Sequence, residues 1–283
     1  MKIIHTITEL RSILDEERSA GRRVGLVPTM GALHDGHLQL MVQAAASTDV
    51  VVASIYVNPL QFAPGEDLDS YPRMLDSDAA AAEQAGVDLL FVPSDAEMYP
   101  QENWSTVSLS VITEEWEGAS RPTHLAGVAT VVTKLFNIVG PCSGFFGQKD
   151  FQQLAMLGRM VSDLNMAIDV VGVPTVREDD GLAMSSRNLR LTAEHREQAP
   201  IVQQALQAGA AAIASGERDP VVVADVVRGL IKTASGAEDP DYVAVVDTAS
   251  LRTPDVLSGE TRLLTAVRFG DVRLIDNIGV TVQ

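Results

Sequence analysis

Five apolar runs, at residues 24–27, 50–57, 89–92, 144–146 and 168–173, alternate with segments of helical period at 37–47, 76–86, 123–139 and 150–164. Short apolar strands that read as continuously hydrophobic are buried on both faces, and helices between them supply the crossovers that parallel strands need. This alternation predicts an α/β fold with a Rossmann-like, doubly wound parallel sheet. Ligands in such sheets bind beyond the carboxyl ends of the strands. A helix precedes the first strand: Thr6 and Glu9 form a capping box, Leu10, Ile13 and Leu14 share one face, and Gly21 ends it.

The pattern changes after Pro174. Residues 192–214 and 219–235 read as two helices, and 241–247, 262–269 and 272–275 read as short strands. The expected organisation is therefore residues 1–175 as the Rossmann-like domain and 176–283 as a smaller α+β domain that closes over the site.

Composition narrows the partners. The chain has 283 residues and a formal charge of −17. Residues 1–175 carry 10 Lys and Arg against 22 Asp and Glu, and residues 176–283 carry 11 against 16. Such a surface repels a nucleic-acid backbone, so no nucleic-acid partner is expected. Without an apolar run of the ~20 residues needed to cross a bilayer, no membrane partner is expected either. The single cysteine, Cys142, permits no internal disulfide and suits a reducing compartment. With no secretion signal read at the N-terminus, the expected location is the cytoplasm.

The chemistry gathers in segments that follow the strands. Pro28-Thr29-Met30-Gly31-Ala32-Leu33-His34-Asp35-Gly36-His37 lies where a strand turns into a helix. A helix start offers N–H groups and a positive dipole end to phosphate, and two imidazoles can stabilise charge that develops as a phosphate is attacked. Asn58-Pro59-Leu60-Gln61-Phe62 follows the next strand. Alone it is a turn, but the Gln61 amide can donate and accept. In Gly147-Gln148-Lys149-Asp150, Lys149 suits phosphate oxygens, Asp150 suits a ribose hydroxyl or a helix cap, and Gln153 lies about a helical turn further on. Met184-Ser185-Ser186-Arg187-Asn188 brings two hydroxyls and a guanidinium that can clamp phosphates. Arg121 is a further candidate anion ligand.

Together these segments resemble the pantothenate synthetase (pantoate–β-alanine ligase) family of the HxGH nucleotidyl-transfer group. Two more stretches share the likeness, Gly65-Glu66-Asp67-Leu68-Asp69-Ser70-Tyr71-Pro72-Arg73 and residues 127–137. The resemblance runs from about residue 3 to residue 280 in the family's order. It implies an ATP-dependent, AMP-forming ligase that makes a pantoyl adenylate, which the amine of β-alanine then attacks. It implies His34 and His37 as stabilisers of the adenylation step, with His37 as proton donor, and Lys149 and Arg187 as their cationic partners. ATP would be bound by residues 30–37 (Met30, Gly31, Ala32, Leu33, His34, Asp35, Gly36 and His37), by Gly147, Gln148, Lys149 and Asp150, by Val176, and by Met184, Ser185, Ser186 and Arg187. Gln61 and Gln153 would hold pantoate or β-alanine. The family's Mg2+ would accompany ATP, with Asp78 in its outer shell, and family members pair as homodimers. Two positions depart from the family: Thr123 replaces a glycine before His124, and Leu40 stands where some relatives carry lysine. The alternatives are another HxGH-type nucleotidyltransferase and a non-enzymatic nucleotide-binding protein.

Overall fold

The computed structural model describes residues 1–63, 65, 66, 68, 69 and 71–282. The chain divides into two compact units, Met1–Gln148 with Gln153–Pro174, and Lys149–Gln152 with Thr175–Gln283. The second unit thus takes four residues, 149–152, that the sequence assigns to the first.

The first unit begins with β1 (Lys2–Ile4) and α1 (Ile7–Ser19), followed by β2 (Val24–Thr29), α2 (Asp35–Ser47) and β3 (Val50–Ile55). A 3-10 turn at Pro59–Gln61 precedes α3 (Leu75–Gln84), β4 (Leu89–Phe91), and the short α4 (Asp95–Met98) and α5 (Glu117–Ser120). Then come α6 (His124–Val139), β5 (Cys142–Gly147), α7 (Phe151–Asp163) and β6 (Ile168–Val173). The strands pair in the order β1-β4-β3-β2-β5-β6, and each pairing is parallel. The order reverses direction at β2, which pairs with β3 on one side and β5 on the other. The carboxyl ends of β2 and β5 therefore flank the topological switch, the place where open α/β sheets take ligands. Met41 and Ala44 of α2 and Ala82 of α3 pack on Val27, Val51 and Leu90 of the sheet. Thr6 caps α1 as expected, its hydroxyl accepting from Glu9 N at 3.3 Å. The edge strand β1 was not read from sequence, since three residues carry no measurable period.

In the second unit α8 (Ala193–Gln198), α9 (Ile201–Ala214) and α10 (Pro220–Ile231) precede β7 (Tyr242–Asp247), β8 (Gly259–Phe269) and β9 (Val272–Val282). The helix expected over 192–214 is interrupted at Pro200, which has no N–H to donate to the preceding turn. Val202, Leu206, Val223 and Val227 bury against Val245, Leu263 and Val267 of an antiparallel sheet ordered β7-β8-β9. The last strand extends seven residues past the expected end at 275. Its polar residues Asp276 and Asn277 break the apolar pattern yet are only 4% exposed each.

Candidate active site

The β2–α2 connection is a tightly held turn. Gly31 and Ala32 both adopt positive φ, 83° and 51°. Gly31 is required there, since a Cβ would lie 3.0 Å from Asp78 Oδ2 and 3.1 Å from Ile55 Cγ2. Asp78, on α3, accepts from Ala32 N through Oδ2 at 2.9 Å and from Leu33 N through Oδ1 at 2.8 Å. The Gly31 N–H goes to the Thr29 hydroxyl at 3.2 Å. The amides expected to face a phosphate are thus largely engaged within the protein, and Asp78 holds the turn through both carboxylate oxygens.

Both histidines cap α2. His34 Nδ1 accepts from Gly36 N at 3.2 Å, and the His34 N–H donates to His37 Nδ1 at 3.4 Å. A backbone N–H can only donate, so each Nδ1 must be an unprotonated acceptor, and the ring proton of each neutral imidazole sits on Nε2. The ring centroids lie 4.1 Å apart. The cap therefore fixes two adjacent rings as Nε2–H donors, which is the form that stabilises charge developing on phosphate.

Gln61 is 8% exposed, and its Nε2 donates to Met30 Sδ at 2.9 Å. This joins the 3-10 turn to the β2–α2 connection. The turn is braced from α6: the Gln61 carbonyl oxygen and His124 Nδ1 are 3.0 Å apart, and Asn58 Nδ2 donates to Gly127 O at 3.2 Å. Arg121, a candidate anion ligand in the sequence, forms a bidentate pair with Glu66 at 2.9 and 2.7 Å. That pair holds the Glu66 carboxyl below its usual range, assisted by the Ala63 N–H. Thr123 has φ −96°, which any residue adopts, so no glycine is needed there. Leu40 is 8% exposed and belongs to the core under β2.

The second unit gathers its own set. One cavity is lined by Lys149, Ser185, Arg187, Asn188 and Asp276 among others. Asn277 of β9 donates to the Lys149 carbonyl at 2.7 Å and accepts from Arg262 Nε at 2.8 Å. Arg177 grips Asp276 with two bonds of 2.7 and 3.0 Å. The loop between them is closed by Met184 N donating to Val176 O at 3.0 Å, and by Asn188 Nδ2 donating to Glu178 Oε1 at 2.8 Å and Ala183 O at 3.1 Å. Ser185 Oγ accepts from Arg187 N at 3.3 Å. Lys149 Nζ lies 3.6 Å from Asp150 Oδ1. The sequence reading missed Arg177, Asp276 and Asn277. Its one available signal was a pair of polar residues inside an otherwise apolar strand.

Asp35 and Gly36 open α2, Gly147 ends β5, and Gln148 and Ser186 begin 3-10 turns. Gln153 sits half-buried in the first turn of α7, within the first unit. Asp67 and Ser70 of the family-like stretch lie outside the described residues. Among the described residues no cluster of three or more His, Cys, Asp or Glu could hold a metal ion.

The profile of the pantoate-beta-alanine ligase family matches residues 2–279. The chain is 51% identical to the pantothenate synthetase of Sinorhizobium medicae, over 98% of this chain and 95% of that one. Its fold is similar to the crystal structure of pantothenate synthetase from Thermus thermophilus, with a TM-score of 0.93, 44% identity, and coverage of 99% of this chain and 100% of that one. It is also similar, with a TM-score of 0.78 and 32% identity over 98% of this chain and 97% of the other, to the pantoate-beta-alanine ligase of Francisella tularensis, solved in complex with beta-gamma ATP and beta-alanine.

Proposed function

The chain belongs to the pantoate–β-alanine ligase family, and from that premise we propose how its residues divide the work. The reaction is the ATP-dependent condensation of pantoate with β-alanine to pantothenate. A carboxylate is a poor acyl donor because its leaving group would be oxide. The proposed course converts pantoate first to an acyl adenylate, with pyrophosphate leaving. The amine of β-alanine then attacks the acyl carbon, and AMP leaves. Little covalent chemistry falls to the protein, which orients the reactants and stabilises charge.

His34 and His37 present their Nε2–H groups to the phosphoryl oxygens of the adenylation step, and His37 is the proton donor. Lys149 and Arg187 meet the remaining phosphate charge, with Ser185 and Ser186 as hydroxyl donors and Met184 beside them. Residues 30–33, Asp35, Gly36, Gly147 and Gln148 shape the nucleotide site, Asp150 accepts from the ribose, and the Val176 backbone meets adenine. Gln61 and Gln153 hold pantoate. The observation that carries this reading is the α2 cap, which leaves two neighbouring rings with their protons on Nε2.

Among the described residues no cluster of three or more His, Cys, Asp or Glu forms a magnesium cage. We assign Mg2+ to the phosphates of ATP and its own water shell, the usual arrangement for this ion. A homodimer, a cytoplasmic location and the absence of a nucleic-acid partner complete the proposal. No helix among the described residues is long and apolar enough to cross a membrane, and the net charge of −17 disfavours nucleic acid.

The test is isotope exchange. Purified protein should exchange labelled pyrophosphate into ATP only when pantoate is present, and should release AMP with pantothenate when β-alanine is added. Exchange without pantoate, or exchange that needs another nucleotide, would reject the proposed adenylate.

A further inference from the structure

Behind Gln61 runs a chain of hydrogen bonds that the roles above leave unused. Asn58 is 1% exposed. Its Oδ1 accepts from the Tyr99 hydroxyl at 2.8 Å and from Leu60 N at 3.4 Å. Its Nδ2 donates to Gln61 Oε1 and to Gly127 O, both at 3.2 Å. All four bonding positions of the amide are therefore filled. Because Gln61 Oε1 receives an Asn58 N–H, the Gln61 Nε2 faces the other way, toward Met30 at 2.9 Å.

Tyr99 is the outer end of this chain, just past α4. Burial raises its phenol pKa to about 12, so it remains an O–H donor across neutral pH. Lys134 Nζ lies 4.9 Å from its ring centroid, and the ring is 6.3 Å from that of Tyr56. Its own ring is thus held while its hydroxyl holds Asn58.

We propose that Tyr99 is a positioning residue for substrate binding: through Asn58 it sets the direction in which the Gln61 amide faces. The inference rests on the reading of Gln61 as a pantoate contact. Without the phenol, Asn58 Oδ1 keeps only the long bond from Leu60 N, and the amide that orients Gln61 loosens. The effect falls on the acid substrate and leaves ATP alone.

Steady-state kinetics of the full chain test this with Tyr99→Phe, Gln61→Ala and the double variant. Tyr99→Phe should raise the pantoate KM about three- to ten-fold, the range of one hydrogen bond, with the ATP KM unchanged. In the Gln61→Ala background the same substitution should change the pantoate KM by less than about two-fold, because the residue it acts through is gone. Tyr56→Phe, which removes the neighbouring phenol from Asp95, should leave the pantoate KM as it is. Equal factors in both backgrounds, an unchanged KM, or parallel rises for ATP and pantoate would each overturn the proposal. If Gln61→Ala alone spares the pantoate KM, the pantoate reading of Gln61 fails. A rise with Tyr99→Phe in that case places the influence of the phenol elsewhere and overturns this inference too. Where Tyr99→Phe lowers Tm, Asn58→Asp decides. It keeps an acceptor for the phenol but turns an oxygen toward Gln61, so the pantoate KM must rise, and an unchanged value overturns the proposal.

Discussion

The backbone N–H of His34 donates to Nδ1 of His37. The imidazole of His37 thereby closes the first turn of α2 and carries its proton on the opposite nitrogen. Replacing it with alanine removes the Nε2–H donor and half of the cap. His37→Ala should lower the rate of pantoate-dependent pyrophosphate exchange by about 10²–10³, the usual effect of one charge-stabilising donor. Loss of the cap adds a stability cost of about 1 kcal/mol. ATP should still bind, measured by calorimetry, and an undiminished exchange rate would remove His37 from the mechanism.

Asp78 and the β2–α2 turn make a second case. Its two oxygens accept the N–H groups of Ala32 and Leu33, and it is 3% exposed. Bonds to a charged acceptor contribute about 1.5–3 kcal/mol each. Asp78→Ala should therefore lower Tm and the exchange rate together, while the Mg2+ concentration giving half-maximal activity stays unchanged. A shifted Mg2+ requirement at unaltered Tm would assign Asp78 to the metal after all.

Gly127 controls how closely α6 approaches the Pro59–Gln61 turn. A Cβ at this position would overlap the Leu60 carbonyl and the Gln61 Cα, both backbone atoms that cannot rotate away. Gly127→Ala should cost roughly 1–3 kcal/mol as an overpacking substitution. It should also raise the pantoate KM more than the ATP KM, because the displaced segment carries Gln61. Calorimetric unfolding and steady-state kinetics together check both halves.

The Arg121–Glu66 pair predicts a pH dependence. Arg121 holds the Glu66 pKa below its ordinary 4.5 in the folded protein. A depressed carboxyl pKa adds stability above the unfolded value, and that increment is lost as pH falls through the folded value. The Tm difference between the wild type and Glu66→Gln should be constant above about pH 5 and should shrink as the pH drops below 4.5. A difference that grew on acidification would contradict the assignment.

Much of the fold was legible because burial imposes a period. Residues 168–173 were read as the strand that forms there, and α2, α3, α6 and α7 lie within two residues of their expected bounds. The motif residues were legible as types: imidazoles, an amide, a lysine and a Ser-Ser-Arg loop. Their partners were not. Arg121 looked like an anion ligand because its Glu66 partner, 55 positions away, becomes a neighbour only in the folded chain. The hold of Asp78 on the β2–α2 turn was illegible for the same reason, since its two amides lie 45 and 46 positions back.

By itself the sequence determined the alternation of strands and helices, the placement of the paired histidines at a strand-to-helix turn, and the family. Each of these is written in local spacing and residue type. Tertiary structure alone decided which nitrogen of each imidazole carries the proton, and that Asn277 and Asp276 are polar strand residues buried to hold Lys149 and Arg177. Hydrogen-bond partnership between distant segments depends on where the folded backbone brings their donors and acceptors, and no period along the chain records that.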